Sequence, residues 1–148
     1  MSCGQVILVV EDSDEDFEAT KRAFRKSEVT RPIFRCTDGE EAIDYLFRRG
    51  VYAGPGKAPR PAMILLDLNM PGTDGREVLE QIKSNEETRL TPVVILTTSS
   101  NPRDIDDCYR YGANSYLIKP VNFDRFLRSI RLLNEYWFNT VTLPVKQA

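Results

Sequence analysis

Histidine is absent from this chain of 148 residues. That absence removes every catalytic triad that relies on an imidazole and every metal site built on one. Any covalent chemistry must therefore use a carboxylate, a hydroxyl, a thiol or a lysine. Cysteine is scarce: Cys3, Cys36 and Cys108 are odd in number, widely spaced and form no CxxC pair. This supports neither a disulfide framework nor a zinc site, and ordinary reduced thiols are expected. Positive charge is not in excess either. Twenty Lys and Arg against 22 Asp and Glu leave a net charge of -2 and a pI near 5.3, which is no electrostatic footprint for nucleic acid. No apolar run approaches the about 18 residues of a membrane span, and MSCGQVILVV lacks the basic start and the apolar length of a signal peptide. A cytoplasmic protein with no nucleic-acid and no membrane partner is expected. The glycine-rich phosphate cradles GxxxxGKS, GxxxxGKT and GxGxxG are missing too.

What is present is an alternation of strand and helix repeated five times, in a length that suits one domain with a full core. Strand one is expected at 5–10, strand two at 32–36, strand three at 62–67, strand four at 92–97 and strand five at 114–119. Ser13 caps a first helix to about Ser27, with Asp14, Glu15 and Asp16 facing the positive end of its dipole as surface acids. Asp38, followed by Glu41, opens a second helix that Gly50 stops. The stretch 50–61 holds three glycines and three prolines and reads as a loop. PGTDG precedes a third helix with Val78, Leu79 and Ile82 inward. Asn101-Pro102 opens a fourth that ends at Gly112, and Asn122 caps a fifth to about Phe138. Strand two alone carries no chemical group at its end, which suits an outer position. The fold class expected is α/β, a doubly wound five-stranded parallel sheet of order 2-1-3-4-5, flavodoxin-like.

The chemistry lies at the ends of the other four strands. VILVV runs into Glu11 and Asp12, AMILL into Asp67, PVVIL into Thr97 and SYLI into Lys119. In a parallel sheet these ends share one edge, where open α/β sheets bind ligands. Singly, each acid reads as a solvated turn residue or a strand terminator. Together, carboxylates about 4 Å apart would repel by roughly 4 kcal/mol at an effective dielectric of 20. A divalent cation removes that cost, and Mg2+ needs few protein ligands: Asp12, Asp67 and one nearby backbone carbonyl, that of Asn69, suffice. Calcium loops do not fit. The stretch from Asp12 has Phe17 where glycine belongs and Ala23 at the twelfth position, and the stretch from Asp67 has Pro71 at the fifth and Val78 at the twelfth. A flavin phosphate would meet EDSDED, which repels it.

The pieces VVEDSDED, LLDLNMPGTDG, VVILTTSS and YLIKP, in that order and each at a strand end, resemble the receiver domains of two-component response regulators, the CheY-like family. The resemblance covers about residues 5–133. It implies that Asp67 is the phospho-acceptor, that Glu11, Asp12, Asp67 and the Asn69 carbonyl form the Mg2+ site, and that Thr97 and Lys119 engage the phosphoryl group. It also implies that Thr97 and Tyr116 form the switch, and that Asn69 and Thr98 tune hydrolysis. Glu11-Asp12 stands where two aspartates are common, a mild departure. The implied function is that of a stand-alone response regulator of a phosphorelay. It accepts a phosphoryl group from a partner histidine kinase, catalyses only its own phosphorylation and dephosphorylation, and signals to a downstream protein by contact.

The long loop 50–61 and the continuation EYWFNTVTLPVKQA together resemble the small response regulators of cyanobacterial phytochromes, which implies a phytochrome as the kinase. The chain is read as one receiver domain, its core at about 5–138, with the loop as an insertion and 139–148 as a short tail. Tyr136, Trp137 and Phe138 point about 100° apart on a helix, so one surface does not easily bury all three. A homodimer interface there is expected; the other reading is a tail folded onto its own core. Two different functions stay open: a Mg2+-dependent phosphatase with an aspartyl-phosphate intermediate, and an inert receiver-like interaction module.

Overall fold

Runs of Val, Ile and Leu build the five strands of one parallel sheet: β1 (Val6–Val10), β2 (Ile33–Cys36), β3 (Pro61–Leu66), β4 (Val93–Thr97) and β5 (Ser115–Ile118). The structure is a computed structural model that describes residues 6–144. Residue 5 of the expected first strand, Cys3 and the end of the tail lie outside the described residues. The spatial order is β2-β1-β3-β4-β5, as the sequence pattern requires. Burial explains that order. β1, β3 and β4 are buried along their whole length and occupy the middle, whereas β2 and β5 are half-buried and form the edges.

Successive side chains point to opposite faces. Leu8, Val10, Ile64, Leu66 and Ile95 meet helices α2 (Gly39–Phe47), α3 (Gly75–Ser84) and α4 (Pro102–Arg110) through Leu46, Leu79, Ile82 and Cys108. On the other face Ile7, Val9, Met63, Leu65 and Val94 meet α1 (Asp14–Lys26) and α5 (Phe123–Asn134) through Phe24, Phe126 and Ile130. Cys36 and Cys108 are buried, unpaired thiols. No described helix is long and apolar enough to cross a membrane.

The caps follow the expected chemistry: Ser13, Asp38, Asn101 and Asn122 each accept a backbone N–H in the first turn of their helix. Three boundaries differ. α2 ends at Phe47 with Arg48 in the left-handed region at φ 55°, so the stop precedes Gly50, which instead opens a 3-10 turn (Gly50–Tyr52). The rest of that connection is tied down, because Tyr45 donates to the Pro59 carbonyl at 2.6 Å and Arg60 to the Leu46 carbonyl at 2.6 Å. PGTDG is not a plain loop: Asn69–Met70 pairs with Thr73–Asp74 around Gly72, whose φ of 70° permits the turn. Lastly, α5 stops at Asn134 and continues as a wider π turn over Glu135–Thr140, closed by the Val141 N–H on the Tyr136 carbonyl at 3.0 Å. The wider turn changes the angular step between neighbours. Trp137 and Phe138 both pack against the α1/α5 core, while Tyr136 is left exposed.

Candidate functional site

The backbone ladder continues one residue past each strand and so fixes the site. The Glu11 N–H donates to the Cys36 carbonyl at 2.9 Å, the Asp67 N–H to the Val10 carbonyl at 3.1 Å, and the Lys119 N–H to the Thr97 carbonyl at 2.7 Å. Four side chains from four strands are thereby set in register along one edge. Beneath Asp67 the backbone approaches closely at Gly75, where an added Cβ would lie 2.6 Å from Leu68 Cα and 2.8 Å from the Asp67 oxygen. Only glycine fits there.

Lys119 is the hub of this edge. Its Nζ donates to Glu11 Oε1 at 2.6 Å, Asp16 Oδ2 at 2.8 Å and Asp67 Oδ2 at 3.2 Å, with only a tenth of the side chain exposed. Glu11 and Asp67 are buried, and oxygens of Glu11, Asp12 and Asp67 lie within 4.8 Å of one another. Carboxylates that face one another in a half-dry cleft form an all-oxygen donor set of the kind a hard cation takes. Burial is the largest influence on Glu11 and pushes it up to about 7; the bond and charge of Lys119 pull the other way, and the charge of Asp67 adds to the rise. Burial pulls Lys119 down, but the bonds from Asp16 and Glu11 and the charge of Asp67 outweigh it, and its pKa is raised.

The hydroxyl of Thr97 is buried beside this cluster. It accepts from Asn69 Nδ2 at 3.2 Å and from the Ser99 N–H at 3.4 Å, and the Asn69 N–H donates to Asp67 Oδ1 at 3.1 Å. Asn69 therefore touches both Asp67 and Thr97. Thr98 is exposed and lines a cavity of about 250 Å³ with Asp16, Lys119 and Val121 at the mouth of the site. Tyr116 is half-buried, and its hydroxyl donates to the Ser99 carbonyl at 2.9 Å. Tyr136, Trp137 and Phe138 are at the far end of α5, and Arg31 lies over the Phe138 ring at 4.4 Å.

The sequence reading missed four residues. Asp16, expected as a surface acid facing the helix dipole, instead holds Lys119 at 2.8 Å, and nothing in the local pattern sets it apart from Asp14 and Glu15. Strand two does serve the edge: Arg35 donates to the Glu11 carbonyl at 3.0 Å and to Asp14 Oδ1 at 2.7 Å, which braces the turn carrying the acids. Ser99, which ties Thr97 to Asp104 of α4, and Arg76, which ties α3 to α4, gave no signal in the sequence.

The family model of the response regulator receiver domain matches residues 7–131. Response regulator Rcp1 of Synechocystis is 39% identical over 95% of this chain and 93% of that protein. The crystal structure of its Mn2+-bound form superposes with a TM-score of 0.87, covering 95% of this chain and 99% of that one. The phosphorylated cyanobacterial phytochrome response regulator RcpA is 39% identical with a TM-score of 0.88, over 96% of this chain and 99% of that one. The probable methanogenesis regulatory protein FilR2 of Methanothrix harundinacea is 42% identical over 89% of this chain and 83% of that protein.

Proposed function

The chain belongs to the response regulator receiver domain family, and from that premise we propose that it is a stand-alone phospho-receiver, taking a phosphoryl group from a histidine of a sensor kinase onto Asp67. The observation that carries this reading is the Asp67 carboxylate, buried yet 3.2 Å from the Lys119 ammonium and grouped with Glu11 and Asp12. An Asp67 oxygen attacks phosphorus, an O–P bond forms, and the P–N bond to the donor histidine breaks with its electron pair going to the imidazole. Such transfer needs alignment and charge stabilisation more than a strong nucleophile. Glu11, Asp12, Asp67 and the Asn69 carbonyl would hold Mg2+, which when bound neutralises charge on the phosphoryl oxygens. Lys119 balances the negative charge that remains. Among the described residues the Thr97 hydroxyl accepts from Asn69 and Ser99 and donates to none, so its own proton is available to a phosphoryl oxygen. Its movement there frees space toward which Tyr116 turns. Asn69 and Thr98, at the mouth, govern access of the water that hydrolyses the acyl phosphate.

The protein acts on no other substrate in this reading and works in the cytoplasm as one receiver domain. Output is by contact through α4, β5 and α5, whose Tyr109, Ile118 and Leu132 are exposed, together with Val121 between β5 and α5 and Tyr136 in the turn after α5. That surface also suits a homodimer. A phytochrome-type kinase is the proposed donor, supported by the similarity to RcpA. Incubation with a small acyl-phosphate donor and Mg2+, followed by intact-mass measurement, tests the function. A persistent gain of one phosphoryl group is expected. Steady release of phosphate without gain would indicate a phosphatase, and no reaction an inert module.

A further inference from the structure

Asp104, in the first turn of α4, links the loop after β4 to α3. Its Oδ2 accepts from Ser99 Oγ at 2.6 Å, and its Oδ1 lies 3.3 Å from Arg76 Nη1. Arg76, in the first turn of α3, also holds Asp107 of α4 at 3.1 Å and the helix's capping residue Asp74 at 3.0 Å. One planar guanidinium thus binds three carboxylates, two on α4 and one at the cap of α3, which a lysine ammonium cannot do as well. Ser99 in turn touches both groups of the proposed switch: its N–H faces Thr97 Oγ1 at 3.4 Å, and its carbonyl accepts the Tyr116 hydroxyl at 2.9 Å. A path of polar contacts therefore runs from Thr97 through Ser99 and Asp104 to Arg76.

If Thr97 moves toward a phosphoryl group, the Ser99 N–H loses its acceptor and the Ser99 carbonyl that anchors Tyr116 is disturbed. Asp104 resists that displacement for as long as Arg76 fixes it against α3. We propose that Arg76 is a positioning residue that pins the loop between β4 and α4, so that Thr97 and Tyr116 stay in the arrangement seen here until the phosphoryl group outweighs the ion pairs. The proposal rests on the reading of Asp67 as the phospho-acceptor. Arg76 and its three acids are a quarter to two-fifths exposed, so the pin is sensitive to salt.

Beryllofluoride, a mimic of a phosphoryl group on a carboxylate, tests it by titration calorimetry in the presence of Mg2+. Arg76→Gln should bind the mimic at least about fivefold tighter than wild type at low salt. Wild-type affinity should rise with salt toward that of the variant, whose own affinity should depend little on salt. Arg76→Lys should restore part of the wild-type behaviour. Affinity for Mg2+ alone should be the same in all three, because Arg76 contacts none of Glu11, Asp12 and Asp67. Ser99→Ala cuts the path without removing a charge and carries the test if Arg76→Gln does not fold; it too should bind the mimic tighter. Equal affinity and equal salt dependence in wild type and variants would overturn the pin, as would a change in Mg2+ affinity of the same size. A wild type that binds no beryllofluoride would overturn the reading of Asp67 and the pin with it.

Discussion

Replacement of Lys119 by Ala in the metal-free protein leaves Glu11 and Asp67 buried without their cation. At an effective dielectric of 20, an ammonium 2.6 Å from Glu11 and 3.2 Å from Asp67 is attracted by roughly 6 and 5 kcal/mol. The desolvation of Lys119 offsets much of this, and removal of one partner from a buried pair costs about 3–5 kcal/mol. That is a large part of the about 5–15 kcal/mol by which a domain is stable. The loss also has a defined pH dependence. Glu11 is raised in the folded state, to about 7, so its stabilising contribution is complete below its unfolded pKa and is lost as pH rises through the folded one. Without Lys119, which lowers Glu11, that folded pKa moves higher still. Above pH 7 the variant then holds a proton that the wild type has released, and the loss grows by about 1.4 kcal/mol per pH unit until the variant's Glu11 ionises. Chemical denaturation followed by far-UV circular dichroism, with a chelator, at pH 6.5 and 8.5 measures it. Mg2+ should restore stability to the variant more than to the wild type, because it would bind the same carboxylates. A loss under about 1 kcal/mol at pH 8.5, or a loss that shrinks as pH rises, would refute the reasoning.

Three further outcomes follow from the same geometry. Metal-free wild type should lose stability between its unfolded Glu11 pKa near 4.5 and the folded value of about 7, since Asp74 and Glu41, both lowered, act below that window; Glu11→Gln should flatten the denaturation profile there, and an unchanged slope would contradict it. Asp12→Asn should raise metal-free stability by about 0.5–2 kcal/mol through relief of repulsion and weaken Mg2+ binding, both read by denaturation with and without metal. Sedimentation of wild type and of Tyr136→Ser should show a dimer weakened in the variant; Tyr136 is exposed, unlike Trp137 and Phe138, whose loss would disturb the core.

Strand order and the four strand-end side chains were legible in the sequence because both depend on local pattern. Fully apolar runs can only be central strands, and a polar residue that ends such a run must lie at the sheet edge. The register that brings Lys119 within bonding distance of Glu11, 108 residues away, follows from that order. Less legible was whatever depends on the reach of a side chain across the fold. Asp16 looks like any acid in a first helical turn, and only its distance to Lys119 separates it from Asp14 and Glu15. Arg76 reads as a solvated arginine until α4 is placed beside α3. The π turn after Asn134 was missed because its cause is tertiary: consecutive aromatics follow the core available to them rather than helix propensity.

The central claim is that Asp67 carries the phosphoryl group. After reaction with an acyl-phosphate donor and Mg2+, borohydride reduces an aspartyl phosphate to homoserine, and peptide mass spectrometry locates it. The expected result is homoserine at position 67 in wild type and no phosphoryl gain in Asp67→Asn. Homoserine at Asp12 or any other acid, or undiminished phosphorylation of Asp67→Asn, would contradict it.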